Sequence, residues 1–298
     1  MGHDDDLLRL PRTKTGLVLE GGGMRAMFTA GVMDVMMEAR VRLDGIIGVS
    51  AGAAFGVNYK SGQQGRVARY NPRFAPDARY MGARSFLSTG NFMNAEFCYH
   101  TVPTRYDVFD FEAYERSPMA YYVVCTDVER GTPVYKRLPR LDYEGIEWIR
   151  ASGSLPIISK PVKLGGRKYL DGGLTDSIPL RFFQQLGYGR CIVILTQPRG
   201  FLKRRTRLMP LFRLTMSRHP RVISLMRRRH RMYNRQLKYI HEQEILGRAL
   251  IICPDLEIPC SRVSQRPGEL LTVYDIGRRK GRETLSRIVA FLEGGGQG

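Results

Sequence analysis

Ile46-Ile47-Gly48-Val49-Ser50-Ala51-Gly52-Ala53-Ala54-Phe55-Gly56-Val57 is the stretch on which the fold turns. The apolar run at 46–49 is too short for a helix and suits a buried strand. Small and apolar residues then continue over 51–57 as a helix, with Ser50 at the turn between them. Gly48 and Gly52 flank the serine at two residues' distance, which leaves space for a strand-to-helix turn to close and project a hydroxyl. Such a helix also aims its N-terminal N–H groups and positive dipole end at the serine, which favours developing negative charge. G-x-S-x-G is weak as five letters, and its bland reading is a small-residue turn that packs a helix close to a sheet. Its position between a strand and a helix is what gives it chemical meaning.

The same unit precedes it. Residues 17–19 form an apolar run that stops at Glu20-Gly21-Gly22-Gly23, and Met27, Ala30, Met33 and Met37 then recur at helical spacing. Residues 61–118 are irregular, with scattered Gly, Pro, Asn and Arg, and predict short helices and loops. Strands are predicted at 120–128, 132–135, 168–170, 190–195 and 249–253. Helices are predicted at 148–152, 180–186, about 220–247 and about 277–293. This alternation argues for an α/β fold with a mainly parallel central sheet. No internal repeat or dividing linker is visible.

The chain has 298 residues, enough to bury a core without disulfides or a structural metal. Its net charge of +19 favours an anionic partner: phosphorylated lipid, nucleic acid or a polyanionic substrate. The five cysteines form no C-x-x-C pair, so neither a disulfide framework nor a zinc ribbon is readable, and a reducing compartment is the natural setting. Met1-Gly2-His3-Asp4-Asp5-Asp6 is acidic where a secretory signal is basic, and Asp6 stands where myristoylation wants Ser or Thr. No stretch approaches the roughly 20 apolar residues of a spanning helix. The expected location is the cytoplasm, with peripheral membrane association open to it.

Two further motifs bear on chemistry. Gly21-Gly22-Gly23, between strand and helix, presents several N–H groups to one point and suits an anion. Gly21, Gly23 and Ala26 also satisfy G-x-G-x-x-G/A. A dinucleotide site, however, wants an acidic residue at the end of the second strand, and Gly48-Val49-Ser50 stands there. An oxyanion hole for an acyl intermediate is therefore the better reading, against a plain glycine turn. Leu170-Asp171-Gly172-Gly173 alone reads as a turn. Beside a serine nucleophile, Asp171 becomes a candidate base, since a serine hydroxyl needs one. None of His3, His100, His219, His230 and His241 has a flanking pattern that suggests a triad.

Together the three motifs resemble the patatin-like phospholipases, which use a Ser–Asp dyad, a G-G-G-x-[KR]-G box, G-x-S-x-G and D-G-[GA]. Ala151-Ser152 before Pro156 and Pro161 is similar to that family's A-S-x-x-x-P segment, and Ser177-Ile178-Pro179 to its polar-x-Pro step. The resemblance covers about 15–200 and departs at Ala26, where the box usually has glycine. It implies a three-layer α/β/α architecture with Ser50 as nucleophile, Asp171 as base, and an oxyanion hole from Gly21, Gly22, Gly23, Met24 and Arg25. Gly48 and Gly52 would shape the elbow. No cofactor and no metal is implied. The mechanism asks that Asp171 be desolvated or otherwise tuned, because an ordinary carboxylate near ~4 is a poor base at neutral pH.

The organisation expected is a polar lead-in over 1–14, a catalytic core over 15–200, a basic extension over 201–293 packed on that core, and a flexible tail over 294–298. From Ser177 through His241 there is no Asp or Glu. Val222, Met226, Tyr233, Leu237 and Ile240 make an apolar stripe with arginines around it. That pattern suits an anionic membrane surface, or a solvated helix whose stripe packs on the sheet. Nucleic-acid binding lacks any signature. The expectation is a serine acyl hydrolase of phospholipid, lysophospholipid or related esters. The alternatives are a soluble carboxylesterase or thioesterase, and a non-catalytic anion- or membrane-binding protein.

Overall fold

The computed structural model describes residues 13–294. The lead-in expected over 1–14 and the tail expected over 294–298 lie outside the described residues, apart from Thr13, Lys14 and Gly294. The first elements are β1 (Lys14–Leu19), α1 (Met27–Glu38), β2 (Gly45–Val49) and α2 (Ala51–Ser61). Short helices α3 (Arg66–Phe74), α4 (Ala83–Thr89) and α5 (Phe111–Arg116) follow, with a π-helical stretch at Phe97–Tyr106 between the last two. Next come β3 (Ala120–Asp127), β4 (Pro133–Arg137), α6 (Tyr143–Ser152), β5 (Val162–Leu164), β6 (Arg167–Asp171), α7 (Leu180–Gln185) and β7 (Tyr188–Ile194). The chain continues through α8 (Met209–Thr215), α9 (Pro220–Ile245), β8 (Ala249–Ile252) and α10 (Pro267–Glu293).

The eight strands form one sheet, hydrogen-bonded in the succession β5-β6-β3-β2-β1-β7-β8, with β4 also paired to β3 along the edge opposite β6 and β2. The pairings β3-β2-β1-β7-β8 are parallel, while β4, β5 and β6 pair antiparallel. Both faces of the parallel part are covered, so its strands are near-continuously apolar. Their side chains alternate between two cores. Leu17, Leu19, Ile46, Ile192 and Ile194 face one side with residues of α1, α2, α6 and α10. Val18, Ile47, Val49 and Val193 face the other with Leu180 and Phe183 of α7 and Tyr233, Leu237 and Ile240 of α9. This is a three-layer α/β/α arrangement. The stripe on α9 is thus core, and Arg227, Arg228, Arg231 and Arg235 are left exposed.

Helix α10 starts ten residues before the predicted position, at Pro267. Proline suits a first helical turn because its missing N–H has no partner there anyway. Gly277, where the predicted helix began, and Gly281 are buried inside this helix where it crosses α1. A Cβ on Gly277 would lie 2.1 Å from the Phe28 carbonyl oxygen, and one on Gly31 would lie 2.2 Å from that of Tyr274. The glycines let two backbones touch.

Register brings the loops of interest together. Cys125 and Thr126 of β3 pair with both β4 and β6, so those two strands lie on opposite edges. By the same overlap β2 lies opposite β4. Strands β2 and β6 therefore share one edge of β3, end to end. Val49 pairs with Val124 and Asp171 with Cys125, the next residue along.

Candidate active site

Ser50 follows directly on Val49, so the register above sets it against Asp171. Its backbone has φ 56° and ψ −127°, in the left-handed half of conformational space that a non-glycine residue avoids. Surrounding contacts hold it there. The Ser50 N–H donates to Ser152 Oγ at 2.9 Å, and that hydroxyl donates to the Val124 carbonyl at 2.7 Å. Ala53 and Ala54 N–H donate to the Ser50 carbonyl and start α2 at the serine. Gly21 lies so close that a Cβ there would sit 2.6 Å from Ser50 Cβ.

Asp171 ends β6 and is almost fully buried. Its N–H donates to Ser154 O at 2.8 Å, and its carbonyl accepts from Thr126 Oγ1 at 2.8 Å. Oδ1 accepts the Gly173 N–H at 2.7 Å. Oδ2 is buried without a hydrogen-bond partner. Burial raises the pKa of this carboxyl. The nearby Ser50 hydroxyl, the charge of Arg229, the Gly173 N–H and the charge of Arg262 pull it partly back.

The glycine box lies on the other side of Ser50. Gly23 has φ 58°, and a Cβ there would lie 2.3 Å from the Arg262 carbonyl oxygen, so only glycine fits. The N–H groups of Gly22 and Gly23 have no protein acceptor among the described residues. Met24 differs from the sequence expectation: its N–H donates to the Arg262 carbonyl at 3.0 Å and is not free for an oxyanion. Arg25 also turns away, its guanidinium facing the Gln197 side-chain amide, which offers its oxygen at 2.6 and 3.0 Å once the amide is turned to satisfy both groups. Glu20, at the end of β1, is buried and accepts from Thr196 N and Oγ1 and from Tyr233 Oη.

Two cavities meet at Ser50. One, of about 160 Å³, is apolar and is walled by residues such as Phe55, Met81, Phe92, Val102, Leu141 and Ile149. Most of its wall comes from the irregular region 61–118 and from α6. The other, of about 30 Å³, joins the glycine box, Ser50 and Asp171 to Lys203, Arg229, Tyr233 and Arg262. No histidine lines either cavity. His100 is instead bonded to Glu147 at 3.0 Å. Among the described residues, no group of three His, Cys, Asp or Glu is placed to hold a metal ion.

Several residues around the site escaped the sequence reading. Ser152, noted there only as part of a resemblance, supports the elbow. Arg229 donates from Nε to the Gly173 carbonyl at 2.6 Å, which ties α9 to the Asp171 turn. A signal for Arg229 existed: the α9 stripe runs 222, 226, 233, 237, 240, and Arg229 stands in its one missing turn. Lys203 and Arg262 lie in loops and had no such signal.

Residues 17–183 match the family model "Patatin-like phospholipase", and residues 219–293 match "Domain of unknown function (DUF6363)". An uncharacterized protein, YjjU, of Escherichia coli (strain K12) is 29% identical over 195 residues, covering 62% of this chain and 52% of that protein. A protein named lysophospholipase nte1 from Aspergillus oryzae is 28% identical over 186 residues, covering 60% of this chain and 11% of its own. The chain thus spans about half the length of the first and about a tenth of the second. A crystal structure of VipD from Legionella pneumophila aligns with a TM-score of 0.46 at 12% identity, covering 92% of this chain and 67% of that one.

Proposed function

The chain belongs to the patatin-like phospholipase family, and from that premise we propose that it is a serine hydrolase of lipid acyl esters, with Ser50 as nucleophile and Asp171 as base. One observation carries the reading: a serine held in a strained elbow beside a buried carboxylate whose outer oxygen lacks a donor. Strain of this kind persists only where surrounding structure over-determines it.

In the proposed reaction Asp171 Oδ2 takes the hydroxyl proton as Ser50 Oγ bonds to the ester carbonyl carbon. The carbonyl oxygen, now an oxyanion, is received by the N–H groups of Gly22 and Gly23, with the start of α2 nearby. Collapse breaks the bond to the leaving alkoxide, which takes the proton from Asp171. Water then attacks the acyl-serine, gives its proton to Asp171, and frees the fatty acid as the proton returns to Ser50. The raised pKa of Asp171 suits this work, because a base is most effective when its pKa nears the working pH. The apolar cavity would take the acyl chain. The exposed arginines of α9 would bring the protein to anionic membranes, and no helix of the described residues is long and apolar enough to cross one.

Wild-type protein is expected to hydrolyse p-nitrophenyl acyl esters and lysophospholipid and to be labelled by a fluorophosphonate probe. Ser50→Ala should lose both activities. Asp171→Asn should lose turnover by a factor on the order of 10³ or more, as removal of a general base or oxyanion donor commonly does. Full turnover by either variant, with the fold intact by circular dichroism, would overturn the assignment.

A further inference from the structure

Beyond the small polar cavity at Ser50 lies a larger cleft of about 600 Å³, which shares Leu155, Lys203, Arg229 and Arg262 with it. Arg204 and His230 also line this cleft, and the Nδ1 of His230 is buried without a hydrogen-bond partner. Lys203, Arg229 and Arg262 make no ion pair among the described residues. The three act on one another, and the charges of Asp171 and Glu20 attract them without forming an ion pair. Burial, followed by the charges of Arg229 and Arg262, lowers the Lys203 pKa to about 7. Burial lowers that of Arg229; Asp171 pulls it back up, the charge of Arg262 lowers it again, and Glu20 opposes.

This cluster is built rather than casual. Asn234 of α9 grips the Lys203 backbone from both sides, accepting its N–H at 2.9 Å and donating to its carbonyl at 3.1 Å. The Lys203 ammonium lies 4.2 Å from the Tyr233 ring centre, while the Tyr233 hydroxyl is committed to Glu20. Arg229 is fixed by its bond to Gly173 O, and the Arg262 backbone by its bond from Met24 N–H. Crowded, unpaired cations in a partly dry cleft cost stability that an arriving anion returns.

Taking the hydrolase reading as its basis, we infer that this cleft receives the phosphate of an anionic lipid headgroup, so that the substrate is an acyl ester carrying net negative charge near the scissile bond. Ser50 stands where the apolar cavity meets the small polar cavity, which shares Lys203, Arg229 and Arg262 with the cationic cleft, and an amphiphile with its ester at Ser50 and its phosphate toward those residues satisfies both. Arginine and lysine bind tetrahedral oxyanions through several charge-assisted hydrogen bonds at once. A choline or ethanolamine head would bring its own cation against Lys203 and Arg262 and lose much of this gain.

The test compares kcat/KM of the full chain on lysophosphatidic acid, lysophosphatidylcholine and monoacylglycerol of one chain length. The anionic substrate should be preferred, and Lys203→Met and Arg262→Ala should each lower the anionic-to-neutral ratio about tenfold, mainly through KM, as loss of a charged hydrogen bond predicts. An unchanged ratio in both variants overturns the inference while leaving the hydrolase intact. Inorganic phosphate serves as the second arm. Should it inhibit monoacylglycerol turnover while the anionic lipid is not preferred, the cleft holds free phosphate and the substrate inference falls. If wild type cleaves none of the three, the hydrolase reading fails by itself. The cleft is then tested by calorimetry of an ether analogue of lysophosphatidic acid on Ser50→Ala protein. Weaker binding once Lys203→Met is added supports the site, and equal binding removes it.

Discussion

Asp171 is asked to be two things, an ion at working pH and a buried side chain. Burial raises its pKa in the folded protein above the ordinary carboxylate value near ~4. The folded state therefore holds this proton more tightly than the unfolded chain does. The resulting stabilisation is present at acid pH and is lost as pH rises from the ordinary carboxylate value through the raised one. Asparagine mimics the neutral form and can still accept from Gly173 N–H. Asp171→Asn should thus raise the thermal midpoint at pH 8 and change it much less at pH 4, a comparison that differential scanning fluorimetry makes directly. A midpoint that falls equally at both would mean that the carboxylate is a structural anchor and not a destabilised base. The turns that carry Ser50 and Asp171 were legible in sequence because glycines stand within two residues of each. Met24 was misjudged as a donor because a glycine-rich box tells where N–H groups cluster and not which of them a distant carbonyl, here that of Arg262, has already taken, and Arg25 because no local pattern tells that its guanidinium faces Gln197. Lys203 and Arg262 reach the site from loops whose course no local spacing encodes.

The elements of the parallel sheet were readable because burial on both faces makes their strands continuously apolar. The short edge strand β5, the helix α8 and the first ten residues of α10 were not. In α10 the reason is specific: glycine ordinarily marks the end of a helix, yet Gly277 and Gly281 lie inside one because α1 crosses there at backbone contact. Both glycines lower helix propensity, and the crossing offsets that cost by packing. Gly277→Ala is then expected to destabilise the protein by about 1–3 kcal/mol, the usual range for overpacking, although alanine is the better helix former. Urea denaturation of the two proteins checks this. A neutral or stabilising result would mean that α1 and α10 move apart freely.

At the scale of the whole molecule, the net charge of +19 is not spread evenly. It gathers on α9 and the segment before α8, beside the mouth of the cationic cleft. Leu202, Leu208, Leu211 and Leu214 are exposed among Lys203, Arg204, Arg205, Arg207 and Arg213. The exposed part of their apolar surface is covered by none of the described residues, whereas the stripe on α9 is fully used by the core. An anionic lipid surface suits both parts of this face, since basic residues near such a surface contribute about 1 kcal/mol each and exposed leucines can enter the headgroup layer. The electrostatic share is screened over about 10 Å at 0.1 M salt, and the apolar share is not. Co-sedimentation with phosphatidylglycerol vesicles should therefore decline between low and high salt, while phosphatidylcholine vesicles bind little at any salt. Reversing Arg227 and Arg228 to glutamate, two exposed positions that do not line the cleft, should shift the anionic curve toward lower salt. Binding that ignores both salt and the reversals would show that the leucines act alone and that the charge serves the cleft.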